Sequence, residues 1–455
     1  MSLLTSIGAF VVALGVLIVV HEFGHFLAAR ACGVKVLRFS VGFGRVVASR
    51  RAGRDGTEWA LSAFPLGGYV KMLDEREGEV APADLPRAFN RQSVWRRFGI
   101  VVAGPVANFL LAIVLYWFVF LIGVPGMKPV VGPVDAGSPA SLARLVPGDV
   151  LLKVGGDSVA TWQDARWLLL KHAVARSSVE LEVERAAGGV AVRTLDLSGL
   201  RAQDIEGDFM KALGLSRFQP PLAPVVGNVV AGGVAERAGL RAGDRVLAVD
   251  GVAVERWDQF VDAIRANPGR TLRVELRRDG RSEPPVSMTP DGVEERGVLI
   301  GKIGAAPRVD RSELQRYFVE VRYGPVAGLW QALTRTWDTS VFSLKMLGKM
   351  IVGEVSVKNL SGPITIADYA GQSAQTGWVA YVLFLALISI SLGVLNLLPI
   401  PLLDGGHLMY YIVEILKGSP VSERVMEIGQ QVGMFVLFLL MAFALYNDIN
   451  RLISG

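Results

Sequence analysis

Cysteine is all but missing from this chain: Cys32 is the only one in 455 residues. An internal disulfide is therefore impossible, so any domain facing an oxidising compartment must rely on its own core. Cys32 itself reads as a packing residue. Histidine is nearly as scarce, with four in the chain. No Lys or Arg precedes Arg30, whereas a secretory signal peptide has a basic n-region, so the apolar N-terminus is not expected to be one. Basic residues interleaved with aromatics, the mark of a nucleic-acid surface, are lacking as well, and no nucleic-acid partner is expected.

What is present is apolar. The chain is 51% hydrophobic with a mean hydropathy of +0.40, too apolar for a soluble protein, yet 20% charged, too much for membrane alone. Windows long enough to cross a bilayer run from Leu4 to Ala31, Phe98 to Gly123, Trp378 to Leu402 and Gly433 to Tyr446, the last with a start as early as Val425. Between Arg30 and Arg97 there are 13 Lys plus Arg, so this loop is expected to be cytoplasmic. Four spans then place both termini, and the long region between the second and third, on the outer side. The net charge of +5 largely restates that bias.

Inside the first apolar window stands His21-Glu22-Phe23-Gly24-His25. An ionisable group in hydrocarbon costs roughly 2.5–3.5 kcal/mol on insertion scales, and three together need a compensating partner. Residues i and i+4 share a helix face, so both imidazoles can reach one tetrahedral metal ion, with zinc the expected occupant. In an H-E-x-x-H helix the glutamate is the general base for a water acidified by the metal. Glu22 is thus the candidate catalytic residue, and His21 and His25 are candidate ligands. Two His and a carboxylate are also compatible with iron or cobalt.

The third window ends in Asn396-Leu-Leu-Pro399-Ile-Pro401-Leu-Leu-Asp404-Gly-Gly-His407. Two prolines break a helix there, and broken helices at membrane depth are tolerated where they line a cavity. Catalytic zinc takes three protein ligands. Asp404 is the natural third, with His407 as the competing candidate; the double-Pro turn and the following Gly-Gly favour Asp404.

The outer region is internally duplicated. Pro129-Val-Val-Gly132 recurs as Pro224-Val-Val-Gly227, Pro147-Gly-Asp149 as Ala242-Gly-Asp244 and Trp162 as Trp257, each at an offset of 95. Each copy, with its β-like run, Gly-containing loop, short helix and Gly-Asp before a second apolar strand, resembles a PDZ domain. Ala231 to Asp244 carries that resemblance best. PDZ domains bind an extended peptide or a C-terminus along a sheet edge, so such a peptide is the implied partner. Beyond the second copy, Val326, Trp330, Leu333, Trp337, Val341, Leu344 and Ile351 mark an amphipathic helix, expected on the outer membrane face or against the spans. Between the first two spans, residues 39–72 read as strands around Asp55-Gly56, a hairpin-turn signal. A sheet edge near the site could hold an unwound substrate strand.

Taken together, His-Glu-Phe-Gly-His, Pro65-Leu-Gly-Gly-Tyr-Val-Lys-Met72, Gly104-Pro-Val-Ala-Asn108, Ser361-Gly-Pro-Ile364 and Asn396 to Gly406 resemble the site-2 proteases. They resemble in particular the bacterial class with tandem PDZ domains that regulates envelope-stress sigma factors. The resemblance covers nearly the whole chain, with no departure at the motif positions. It implies a multi-pass α-helical membrane protein of about four spans, with a membrane-associated β-hairpin and two α+β PDZ domains between the second and third spans. The expected division is a first half of the protease core (1–123), PDZ-like domains (124–221 and 222–308), a helical connector (309–377) and the second half of the core (378–455).

The resemblance also implies His21, His25 and Asp404 as zinc ligands, Glu22 as base, Asn396 as a substrate or transition-state contact, and Pro399 and Pro401 as shapers of the turn. The implied substrate is a single-span protein of the bacterial inner membrane, such as an anti-sigma factor already trimmed on its outer side, or a remnant signal peptide. Two other readings compete: a zinc-stabilised PDZ scaffold without proteolytic activity, and a transporter. The scaffold should tolerate Glu22→Gln. The transporter lacks the inverted repeats common among such proteins.

Overall fold

The computed structural model describes residues 3–201, 204, 208–295, 297–309, 311–356 and 360–454. The chain divides into two compact units, one of Met1–Val124 with Glu320–Ser454, the other Pro125–Val319.

In the first unit, four helices among the described residues are long and apolar enough to span a membrane: Leu4–Ala31, Val94–Ile122, Trp378–Asn396 and Glu423–Ile453. The third is shorter than its apolar window, because a residue preceding proline is driven out of the helical region and Pro399 has no N–H to continue the ladder. Its helix stops at Asn396. A turn follows, in which Leu402 adopts φ +95°, a left-handed conformation that costs a non-glycine residue about 1–2 kcal/mol. A new helix then runs Asp404–Lys417. The fourth helix is longer than its apolar window, spanning Glu423–Ser454, since polar residues at both ends extend the same helix.

The second span forms the centre of this unit. Ala112 and Tyr116 pack with Ala386, Ile390 and Val394 of the third span and with Ala332 of the helix Pro325–Ile351. That last helix buries Gly328, Ala332, Thr336 and Thr339, while Val326, Trp330, Trp337 and Ile351 are each at least two-thirds exposed. The large apolar residues of the stripe therefore face away from the protein, and small residues on the opposite side of the helix make its contact with the spans. The fourth span is tied to the rest by Asp448, which is buried and caps the helix Pro363–Thr376. It accepts from the N–H groups of Gly362 (3.0 Å), Ile364 (2.9 Å) and Thr365 (3.2 Å) and from Thr365 Oγ1 (2.5 Å). Caps of this kind contribute roughly 0.5–2 kcal/mol.

Between the first two spans, strands Val36–Ala52 and Thr57–Met72 pair around the turn that contains Asp55 and Gly56. The pair is more than a simple hairpin. Phe39 faces Val70 and also Trp59, and Ser40 faces Tyr69 and also Ala60, so segment 36–41 lies between 58–61 and 68–72. Register shifts from Val41 to Val46 let the ribbon fold over itself. Phe26, Ala29, Phe39 and Ile100 form the core beneath it.

The second unit holds two apolar cores, one drawn from residues 131–215 and one from 226–303. Their parts coincide at the offset read from the sequence. Strands Val131–Val134 and Val226–Val229, helices Pro139–Leu142 and Val234–Arg237, and strands Val150–Val154 and Arg245–Val249 correspond. Val130 bridges Val150, and Val225 bridges Arg245. The shared Gly-Asp pair has a physical role in both. Gly148 (φ +93°) and Gly243 (φ +97°) take the left-handed turn. Asp149 then accepts from Val146 N–H (3.1 Å), and Asp244 from Arg241 N–H (2.8 Å).

Candidate active site

His21, Glu22 and His25 lie on the first span, and Asp404 opens the helix after the double-Pro turn. The turn brings a residue far away in sequence against both imidazoles. His21 Nε2 is 3.1 Å from Asp404 Oδ2, His25 Nε2 is 3.4 Å from that oxygen, and the two Nε2 atoms are 3.3 Å apart. Among the described residues these three form the cluster with metal-ligand spacing.

Zinc bonds of about 2.0–2.1 Å at the tetrahedral angle put neighbouring ligand atoms about 3.3 Å apart, which is the spacing of this triangle. The donor chemistry agrees with it. Asp404 Oδ2 is buried and has no hydrogen bond of proper geometry, although both Nε2 atoms are nearby. With lone pairs turned inward, the two Nε2 atoms and the Asp404 oxygen would repel one another, and a cation between them removes that repulsion. Two histidines and one carboxylate are a catalytic-zinc donor set with a coordination position to spare.

The outer rim of the site fixes the rings. His25 Nδ1 donates to the carbonyl of Ile100 at 2.9 Å, leaving Nε2 for the triangle. Asn108, wholly buried, lies with its side-chain amide 3.2 Å from His21 Nδ1. Room for the imidazoles comes from Gly104, where a β-carbon would overlap His25 Nε2 and lie 2.9 Å from His21 Cε1. At Gly24 a β-carbon would meet the Ala103 carbonyl and lie 2.7 Å from Ala107 Cβ, so this residue lets the first two spans approach. Glu22 borders the sheet, since a β-carbon on Gly68 would lie 3.0 Å from its Cγ.

His407, the competing ligand, is not part of the triangle. It lines a cavity of about 380 Å³ with Arg97, Tyr410, Tyr411, Glu414 and Gln430. Asn396 is the last residue of the third span and is half-buried, while Pro399 and Pro401 stand in the turn. The sequence motifs contained Gly104, Asn108 and Gly68 without revealing their tasks. The signal was their spacing: Gly104 and Asn108 are four apart on one helix and so share a face.

The sequence pattern of Peptidase family M50 matches residues 9–440. The regulator of sigma-E protease RseP of Salmonella typhimurium (strain 14028s / SGSC 2262) is 44% identical over 453 residues, covering 99% of this chain and 100% of that protein. RseP of Escherichia coli (strain K12) is 45% identical over 457 residues, with 99% and 100% covered. A Vibrio cholerae relative whose name includes the words zinc metalloprotease is 43% identical over 447 residues, covering 98% of each chain. A match of this extent, on a chain whose His-Glu-x-x-His helix meets an aspartate in the fold, has one conclusion: the protein belongs to peptidase family M50.

Proposed function

We propose that this chain is an intramembrane zinc endopeptidase of the bacterial inner membrane, with His21, His25 and Asp404 as ligands and Glu22 as general base. The observation that carries the proposal is the triangle of His21 Nε2, His25 Nε2 and Asp404 Oδ2, with sides of 3.1–3.4 Å. Zinc, when bound, supplies a water acidified to near neutral pH and polarises the scissile carbonyl. The carboxylate of Glu22 takes up the proton of the attacking water and returns it to the leaving amine. Asn396, at the end of the third span, contacts the substrate backbone, and Pro399 and Pro401 hold open the turn that presents Asp404.

The substrate is the transmembrane segment of a single-span protein, unwound so that its peptide bond reaches the site. Two relatives carry sigma-E regulation in their names, which supports an anti-sigma factor as substrate, trimmed beforehand on its outer side. The duplicated modules at 124–221 and 222–308 are PDZ domains that recognise or exclude bulky outer domains. The basic loop faces the cytoplasm; the modules and both termini face the periplasm.

The test is cleavage of a tagged single-span substrate in membranes by the parent chain and by Glu22→Gln, with bound zinc measured on both. We expect the variant to keep its zinc and lose cleavage by a factor on the order of 10² or more. A zinc-loaded Glu22→Gln chain that still cleaves would refute the proposed role of Glu22. The same assay on an untrimmed substrate, with the duplicated modules deleted, examines their part: continued refusal of that substrate counts against exclusion.

A further inference from the structure

We infer that Asn108 is a positioning residue for His21: its side-chain oxygen receives the Nδ1–H of that imidazole and thereby leaves Nε2 free to bind the metal. The inference rests on the zinc reading above and extends it to a residue outside the ligand set.

Asn108 is wholly buried in the second span, and the nearest atom of its amide to His21 Nδ1 is the nitrogen, at 3.2 Å. Its oxygen is buried with no hydrogen-bond partner among the described residues. The two ends of an amide have nearly the same shape, so only the hydrogen bonds decide which end points where. An N–H aimed at Nδ1 requires a lone pair there and places the ring proton on Nε2. That tautomer cannot ligate through the nitrogen that lies 3.1 Å from Asp404 Oδ2.

A half-turn of the amide removes the conflict. The oxygen then accepts from Nδ1–H, and the Nε2 lone pair joins the triangle. As placed, the oxygen makes no hydrogen bond that the half-turn would break, so the imidazole decides between the two orientations. His25 supplies the precedent within the site: its Nδ1 faces the Ile100 carbonyl at 2.9 Å, an atom that can only accept. Both rings would therefore be held in the same tautomer from the same helix, one by a main-chain oxygen and the other by a side-chain oxygen.

The placement of Asn108 is itself secured. Its main-chain carbonyl accepts from Ser389 Oγ on the third span at 2.7 Å, and Ser389 is wholly buried. One turn earlier, Gly104 clears the space that the imidazoles occupy. The Gly-x-x-x-Asn spacing thus provides room and orientation on one helix face.

The experiment uses the full chain in detergent, with zinc affinity measured by chelator competition and ligand geometry by the visible spectrum of the cobalt-loaded protein. The parent chain, His21→Ala, Asn108→Leu and Asn108→Asp are compared. We expect Asn108→Leu to weaken zinc binding by about 10- to 100-fold and to shift the cobalt bands. Asn108→Asp, with an accepting oxygen at either end, should bind close to the parent and restore its spectrum. Parent-like zinc affinity in Asn108→Leu overturns the inference, and so does an Asn108→Asp chain as weak as Asn108→Leu. Should Asn108→Leu fail to fold, Asn108→Ala takes its place with the same expectations. A parent chain that binds zinc no better than His21→Ala would instead sink the zinc reading itself.

Discussion

Gly104 and His25 meet so closely that any β-carbon on the former would overlap the Nε2 of the latter. Two effects oppose each other at this position. Alanine is the better helix former by roughly 0.5–1 kcal/mol, which favours Gly104→Ala. Overpacking a tight contact costs about 1–3 kcal/mol, and here the atom in the way belongs to a proposed ligand. The second effect should win. Gly104→Ala is expected to lower zinc occupancy and cleavage together while the helices remain folded, as read by metal content and circular dichroism on one sample. Full zinc occupancy in this variant would show that the imidazole can move aside.

The segment 68–72 borders Glu22 on one side and pairs with 36–41 on the other. If a substrate strand adds to this edge, the main-chain N–H groups turned toward it are what hold it. Single prolines placed in turn along 68–72 should then reduce cleavage of a helical substrate while zinc content stays unchanged, with the loss alternating along the strand. Cleavage that survives every proline would rule out strand addition at this edge.

Asp244 and Arg278 form a two-point ion pair, with Nε 2.7 Å from Oδ1 and one terminal nitrogen 2.8 Å from Oδ2. Burial pushes the Asp244 carboxyl up. The hydrogen bonds from Arg278 and from the Arg241 N–H, with the charges of both arginines, outweigh burial and hold it below the usual carboxylate range. A depressed value stabilises the folded form in full above the unfolded value of about 3.9, and this contribution is lost as pH falls through the folded value. Arg278→Leu should therefore destabilise the second module most at neutral pH, with its deficit shrinking on acidification. Hydrogen exchange of peptides covering 272–278, compared between parent and variant at pH 7 and near pH 3, gives the sign. A deficit that grows on acidification would contradict this assignment.

Much of this protein was legible before any fold was known. Local chemistry suffices for a His-Glu-x-x-His helix, because helical periodicity alone puts His21 and His25 on one face. Hydropathy located the four described helices that are long and apolar enough to span a membrane, and the 95-residue offset located elements that recur in the second unit, down to the glycine turn and capping aspartate. Helix ends were less legible, since hydropathy reports where lipid is tolerated and not where the hydrogen-bond ladder stops. The third helix ends at Asn396, short of its apolar window, and the fourth runs well past its own.

The amphipathic stripe after residue 325 was visible in the sequence, but which face would pack was not. Small residues at Gly328 and Ala332 allow closer helix approach than Trp330 or Trp337 would, so the partner lies opposite the stripe. The folded-over strand pair likewise depends on register shifts between residues 41 and 46, and a period-two pattern says nothing of them.

The sequence by itself determined the donor types: two imidazoles one turn apart, a glutamate beside them, and a carboxylate after a proline break. Tertiary structure brought Asp404, which the sequence already favoured over His407, against both imidazoles, and it alone decided that Gly104 clears the imidazoles and that Asn108 meets His21. Those outcomes depend on how the first and second spans cross and where the turn after Asn396 leads. Such choices are set by packing between segments remote in the chain, and local propensity does not encode them.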